Sequence, residues 1–299
     1  MDAPNNRAHV LEDAVSALVY RARFPLRGPR VSTLRRAHSL AASDRADADD
    51  PVSDEDFALM DREVRGSSRF LGIYSERGLL AAMRAHGLLE LLAARGFTRI
   101  GVAFDLSDAF EHRLTVFDGD PSRRVGEVVA ARLKVDRLGE VDLPHGSEVI
   151  SIGWLAIENP DTREGAAAPG QERPGLGLAR AVIDMSLAGA THMGFAAVLA
   201  VPAHYHLAWM YHPWYRPLDP REEGALLALR EATRRLSRIE ASWAINRGEV
   251  LRDGVPWRWV PPRMCAPIDA SLRAWMSSAE YAHGVVEGAS AARFELSTR

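Results

Sequence analysis

The order of hydrophobic periodicities along the chain predicts an α+β fold with α/β-type layers: a mixed, mostly antiparallel sheet with helices on both faces. Three observations carry this reading. Glu76–Arg95 repeats apolar residues at helical spacing. Leu114–Phe117 and Val125–Leu133 read as the arms of a β-hairpin. Val149–Ile157 is apolar on both faces, as befits a strand inside a sheet, and it precedes a second helical run and a second buried strand.

Taken in order, residues 1–55 form a partly disordered N-terminal arm. Arg21, Arg23, Arg27, Arg30, Arg35 and Arg36 stand there in a stretch without acidic residues, followed by Asp44, Asp47, Asp49, Asp50, Asp54, Glu55 and Asp56 at its end. A solvated arm with room for a short helix near Leu11–Tyr20 is the plain reading; a basic arm that meets an acidic partner or nucleic acid is the sharper one, against which the neighbouring acidic residues and the lack of interleaved aromatics speak. The globular part, residues 56–265, begins with the helix Glu76–Arg95, whose Leu79, Leu80, Met83, Leu88, Leu91 and Leu92 share a face and which Gly96 ends. Ile100–Phe104 is a short strand. The hairpin that follows turns through Asp118, Gly119 and Pro121 in a loop longer than two residues. After Val149–Ile157 come a Gly/Ala/Pro-rich loop at 159–170, a helix reaching about Leu187, and the buried strand Phe195–Val201. His204–Tyr215 is aromatic-rich, Glu222–Leu236 is a second long helix, and Asp253-Gly254 marks another hairpin. Residues 266–299 are expected to hold one helix and a frayed tail.

Composition removes several classes of function. The chain has 299 residues and a formal net charge of −3, so no nucleic acid partner is expected. Lys134 is the sole lysine, and the arginine excess fits the codon usage of a GC-rich genome. Cys265 is the sole cysteine, which excludes an internal disulfide and a cysteine-built metal site. No apolar run has the roughly 20 residues of a membrane span, and the N-terminus lacks a signal-peptide core, so a cytoplasmic protein without a membrane span is expected.

The most telling stretch is Gln171–Arg180, QERPGLGLAR, between the apolar strand and a helix start. The first N–H groups of a helix have no intrahelical partner, the helix dipole favours negative charge there, and glycine lets an anion approach the backbone. Gly175 and Gly177 therefore mark either a phosphate cradle or merely a tight strand-to-helix connection. No P-loop pattern is present, and Arg180 stands where a dinucleotide fingerprint needs its third glycine.

Together with the strand before it, Pro174–Ala179 (PGLGLA) resembles the glycine motif of the GNAT acyl-CoA N-acyltransferase superfamily, with Gly177 and Ala179 on its last two fixed positions and Pro174 where the family has Gln or Arg. The resemblance continues to Val201-Pro202 and HYHLAWMYHPWYRPLDP, where Ala208 and Tyr211 approximate the family's Ala and Tyr, the Asn is missing and the tyrosine comes one residue early. It covers roughly residues 75–220, and only the glycine turn is fairly specific. It implies a domain that binds acetyl-CoA or a longer acyl-CoA as co-substrate, with the pyrophosphate held by Ile157, Gly175, Leu176, Gly177, Leu178, Ala179 and Arg180, and no metal.

The same resemblance implies acyl transfer to a small-molecule amine by direct attack in a ternary complex. Tyr211 would protonate the departing thiolate, since a phenol with an ordinary pKa of about 10 carries its proton at neutral pH. Taken alone, it reads more plainly as an aromatic of the cluster with Trp209, Trp214 and Tyr215. Glu158, at the end of the long strand, is either a solvated carboxylate or the base that accepts the amine proton. His206 is a second candidate base. His204, His206 and His212 suffice in number for zinc but lack a metal-site spacing, so pocket lining or core histidines is the plainer reading. Tyr205, His206, Trp209 and Tyr211 would line the acceptor pocket. Cys265 lacks an evident His/Asn partner set for a nucleophile. A catalytically silent ligand-sensing or interaction module with the same fold, and a histidine-based metal enzyme, remain as alternatives, and the oligomeric state stays open.

Overall fold

A computed structural model describes residues 69–162 and 168–297. The N-terminal arm, including Leu11–Tyr20, lies outside the described residues. The first helical stretch is two helices, not one: α1 (Glu76–Ala85) and α2 (Leu88–Ala93). The break is at Gly87, whose φ of 72° no right-handed helix accommodates. Ser75 caps α1 by accepting the Gly78 N–H at 3.0 Å. Gly96, at φ 91°, closes α2, and Phe97 N–H donates back to the Leu92 carbonyl at 3.1 Å.

Three antiparallel strands follow: β1 (Ile100–Asp105), β2 (His112–Asp118) and β3 (Asp120–Lys134). The β2–β3 turn is tighter than its sequence suggests. Gly119 (φ 76°) joins the strands directly, and register shifts near Phe117 absorb the extra residues, so Pro121 already lies in β3. A small ladder, β4 (Arg137–Leu138) with β5 (Val141–Asp142), leads to β6 (Glu148–Ile157). Then come α3 (Ala179–His192), β7 (Ala197–Ala200), α4 (Tyr205–Tyr211), β8 (Arg216–Pro217) and α5 (Pro220–Ala232). Helix α6 (Arg238–Asn246), which the sequence reading lacked, opens with a Ser237/Glu240 capping box. Asp253 (φ 53°) and Gly254 (φ 78°) turn β9 (Val250–Arg252) into β10 (Val255–Pro256), as the Asp-Gly pair predicts. The chain continues through β11 (Met264–Pro267), α7 (Ala270–Met276), α8 (Ala279–Ala291) and β12 (Phe294–Leu296).

The described residues thus form a mixed α+β fold with eight helices and a seven-stranded sheet in the order β1-β2-β3-β6-β7-β11-β8. Every neighbouring pair is antiparallel except β6/β7. Residues Ala197–Ala200 of β7 and Met264–Ala266 of β11 are all buried, so this half of the sheet is covered on both faces. A boundary at 265/266 falls inside β11, which pairs with both β7 and β8, and the described residues after it form two helices and a strand rather than one helix and a frayed tail. Among the described residues no helix is long and apolar enough to cross a membrane.

The last two elements are bound tightly. Helix α8 lies against α5 at glycine contacts, where a Cβ on Gly288 would collide with the Arg221 carbonyl and one on Gly224 with the Val285 carbonyl. A buried polar cluster ties the same region together. The Arg216 Nε donates to both Glu223 carboxylate oxygens at 3.0 and 2.8 Å, and its Nη1 to the Met276 carbonyl at 2.6 Å. The Tyr281 hydroxyl lies 2.7 Å from Glu223 and 2.6 Å from the Pro217 carbonyl. Burial opposes the Glu223 charge, but His212 and Arg216 together hold its carboxyl below the ordinary value of 4.5.

Gly288→Ala should destabilise the protein by about 1–3 kcal/mol in denaturant unfolding, because the collision is with backbone rather than with a movable side chain. The depressed Glu223 pKa stabilises the fold above the ordinary carboxylate pKa, and that contribution is lost as pH falls through the folded value. The stability advantage of the wild type over Glu223→Gln should therefore shrink as urea titrations are taken below about pH 4.5; an advantage constant in pH would contradict this.

Candidate functional site

The site grows from one interruption in the sheet. Strand β6 pairs with β7 from Val149↔Ala197 to Ile152↔Ala200, and there β7 ends. On its other edge β6 stays paired with β3 as far as Ile157, but with a bulge: Ile152 faces Ala130, Trp154 faces Val129, and Gly153 is the extra residue. The stretch Gly153–Ile157 thus has a partner strand on one side only. The glycine turn folds back onto this open side. Leu176 N–H donates to the Ile157 carbonyl at 3.2 Å, Asn159 N–H donates to the Pro174 carbonyl at 3.0 Å, and Glu158 and Gly175 form an isolated bridge. In a strand the N–H and carbonyl of one residue point the same way, so the Ile157 N–H also faces the open side.

Gly177 has φ 68° and Leu178, the residue before α3, has φ −101° and ψ −1°. Such a left-handed to right-handed succession aims consecutive N–H groups into one concavity. No side chain caps α3, and the amides of Gly177, Leu178, Ala179 and Arg180 have no acceptor among the described residues. This is the geometry of an anion cradle.

Sequence reasoning overlooked a further group here. Arg95, just past α2, donates through Nε to the Leu176 carbonyl at 2.6 Å and through Nη1 to the Leu91 carbonyl at 2.8 Å. Its Nη2 is 3.9 Å from where a Cβ on Gly177 would stand, and among the described residues no carboxylate pairs with it. A positive charge is thereby fixed beside the free amides. The visible signal was an arginine next to a helix-ending glycine, which by itself reads as an ordinary helix C-terminus.

Arg180 takes the other side. It lies 3.8 Å from Asp184 and its guanidinium sits 5.7 Å from the centre of the Trp214 ring. Asp184 also accepts the Trp214 indole N–H at 2.9 Å. These contacts bring the aromatic segment after α4 against the first turns of α3, and with it the end of the helix that carries Tyr211. Burial pushes the Tyr211 phenol up to about 12, so it holds its proton at neutral pH.

His206 lies elsewhere. Its Nδ1 is 3.0 Å from the Ser242 hydroxyl on α6, its ring stacks on His204, and its Nε2 is buried without a partner. Burial, with His204 and Arg238 adding, lowers its pKa to about 4. Tyr205 hydrogen-bonds Thr233 at 3.2 Å, and Arg230 stacks 4.4 Å from the centre of the Trp209 ring. Tyr205, His206, Trp209 and Tyr211 are all buried around α4, and none of them lines the cavity described next. No hydrogen bond or ion pair joins Tyr211 or His206 to Glu158 among the described residues. Among those residues, too, no group of three or more His, Cys, Asp or Glu side chains is placed to hold a metal. Cys265 is buried in β11 with its thiol pushed up to about 12, which leaves it unreactive.

Beside the glycine turn is an apolar cavity of about 130 Å³. Its walls are α1 and α2, the strands β2, β3 and β6, and the inner side of α3. Leu155, Ala156 and Ile157 of the open part of β6 and Leu178 of the turn belong to its lining, so cavity, open strand edge and anion cradle are contiguous.

The folded state keeps His206 neutral, so it resists a proton that the unfolded chain accepts near pH 6.5. Stability should fall as pH drops from about 6.5 toward 4, and His206→Gln should fall less steeply over that window in thermal melts. No protein-family model matches the chain, and no curated protein matches its sequence.

Proposed function

We propose that this protein binds an acyl-CoA thioester at the glycine turn and transfers the acyl group to a small-molecule amine. The observation that carries the reading is the conjunction, among the described residues, of α3 amides without acceptors, an Arg95 guanidinium without a carboxylate partner and a β6 edge without a partner strand. A pyrophosphate would find amides and a cation; a pantetheine arm, itself a chain of amides, would find the open strand edge. The GNAT resemblance of PGLGLA is the second support.

In this reading the Ile157 N–H polarises the thioester carbonyl, as oxyanion-hole donors do. The amine nitrogen attacks the carbonyl carbon and the C–S bond breaks. Glu158, at the cradle end of β6, receives the proton the amine loses, a role for which His206, held against Ser242 of α6, is the less favoured candidate. The thiolate takes up a proton, leaving an amide and free CoA; Tyr211, whose buried phenol keeps its proton, is the acid that the GNAT resemblance assigns to this step. A ligand-sensing module without turnover is the second reading, favoured by the burial of the Tyr211 side chain to 7 % exposure.

Titration calorimetry on the full chain tests the site. CoA and acetyl-CoA should bind, Gly177→Glu should abolish binding by placing a side chain and a negative charge in the cradle, and Arg95→Ala should weaken it roughly tenfold with a reduced salt dependence. Absence of binding by every CoA species would overturn both readings. Thiol release with a panel of amines then separates them: Tyr211→Phe should lower turnover by about 10²-fold or more with CoA affinity intact, whereas binding with no thiol release by the wild type selects the sensor.

A further inference from the structure

The cavity beside the turn is larger than an acetyl group requires, and its chemistry is one-sided. Met83, Met185 and Met193 stand among its aliphatic walls, side chains that adapt to a flexible occupant. Its few polar groups are quiet. The Ser186 hydroxyl donates to the Val182 carbonyl at 2.8 Å, and burial pushes the Tyr74 phenol up to about 12, so it stays neutral. The one carboxylate on the lining, Glu127, is paired with Arg113 and, at 2.9 Å, with Arg124. An ammonium acceptor would find no free counter-charge there, whereas a hydrocarbon chain would find matching surface.

We propose that this cavity is the acyl-chain pocket of the site, and that the preferred thioester carries a linear chain of about six carbons rather than acetyl. The inference rests on the acyl-CoA reading of the glycine turn. Its size argument is comparative: an apolar protein cavity of about 150 Å³ stays dry and accepts benzene, a six-carbon ring. A volume of about 130 Å³ accordingly suits about five or six carbons. The position argument is that Leu155, Ala156 and Ile157 lie both on the cavity wall and on the open edge of β6. A thioester held at Ile157 has its CoA side toward the α3 amides and its acyl side toward the cavity.

A chain-length series in calorimetry on the full chain tests this: CoA, acetyl-CoA, hexanoyl-CoA and decanoyl-CoA. Hexanoyl-CoA should bind at least tenfold more tightly than acetyl-CoA, since four more methylenes leave water, and decanoyl-CoA should bind no more tightly than hexanoyl-CoA once the cavity is full. Ala82→Phe, on the α1 wall, should cut the hexanoyl advantage to within about threefold. Met83→Ala should move the optimum toward longer chains, and this holds as a test even where the larger side chain is not tolerated. Equal affinity for acetyl-CoA and hexanoyl-CoA, with CoA itself bound, would overturn the acyl pocket and leave the glycine-turn reading standing. Failure of every CoA species to bind would overturn the glycine-turn reading and the pocket with it.

Discussion

The parallel pairing of β6 with β7 lasts from Val149↔Ala197 to Ile152↔Ala200 and then ends, while β6 runs on to Ile157 against β3 alone. Backbone groups in a sheet interior must find partners, and a strand that loses its neighbour leaves a row of them open. Gly153 is the bulge residue at that point, and a bulge bends and twists a strand locally. The glycine turn depends on the opening: Leu176 occupies the Ile157 carbonyl, which places the start of α3, with its unbonded amides, next to the open edge. The apolar cavity depends on it too, because Leu155, Ala156 and Ile157 form part of its wall.

The rest of the molecule holds that opening steady rather than closing it. Helices α1 and α2 cover the sheet beyond β6, and the Gly87 break sets α2 apart from α1, with Arg95 just beyond it donating to the Leu176 carbonyl. On the other flank, Asp184 and Arg180 engage Trp214 and so join α3 to the segment after α4. Farther off, Arg216, Glu223 and Tyr281 form a buried polar cluster between β8, α5 and α8. Each charge there is desolvated, so each needs its partner; the carboxylate is satisfied by guanidinium and phenol together. This cluster fastens the C-terminal helices to the sheet edge that β11 and β8 complete.

Much of the fold was legible locally. The existence of the hairpin β2–β3, the strand β6, the Asp253-Gly254 turn and the helix after PGLGLA follows from period and turn chemistry, which act over a few residues. Where the reading missed, the causes differ. Glu76–Arg95 carries a helical stripe throughout, but Gly87 is a local breaker within it and takes the left-handed conformation that splits it in two. The C-terminal segment reads as peripheral, yet β11 sits between β7 and β8, because a strand of Met264–Pro267 looks the same whether it lies inside a sheet or outside it. Within the candidate site, the strand end Ile157-Glu158 and the turn Gly175–Gly177 were singled out from two stretches separated by a loop, and the structure places them side by side. Arg95 was not found, because it reaches Leu176 across a separation of 81 residues. His206 was drawn toward the site by its neighbours in sequence, but helical rotation turns it to Ser242 on α6.

By itself, the sequence determined a helix, a strand and a hairpin ahead of a long buried strand, one glycine turn that opens a helix after that strand, and, from a single cysteine, that no internal disulfide can form. Those properties depend on side-chain type and on neighbours a few residues away. The tertiary structure alone decided that β6 outruns β7, that a cavity of about 130 Å³ lies behind the turn, that Arg95 stands beside it, and that His206 of α4 is buried against Ser242 of α6. The reason is physical: strand length mismatch, void volume and charge placement are properties of how elements meet, and residues far apart in the chain set them jointly.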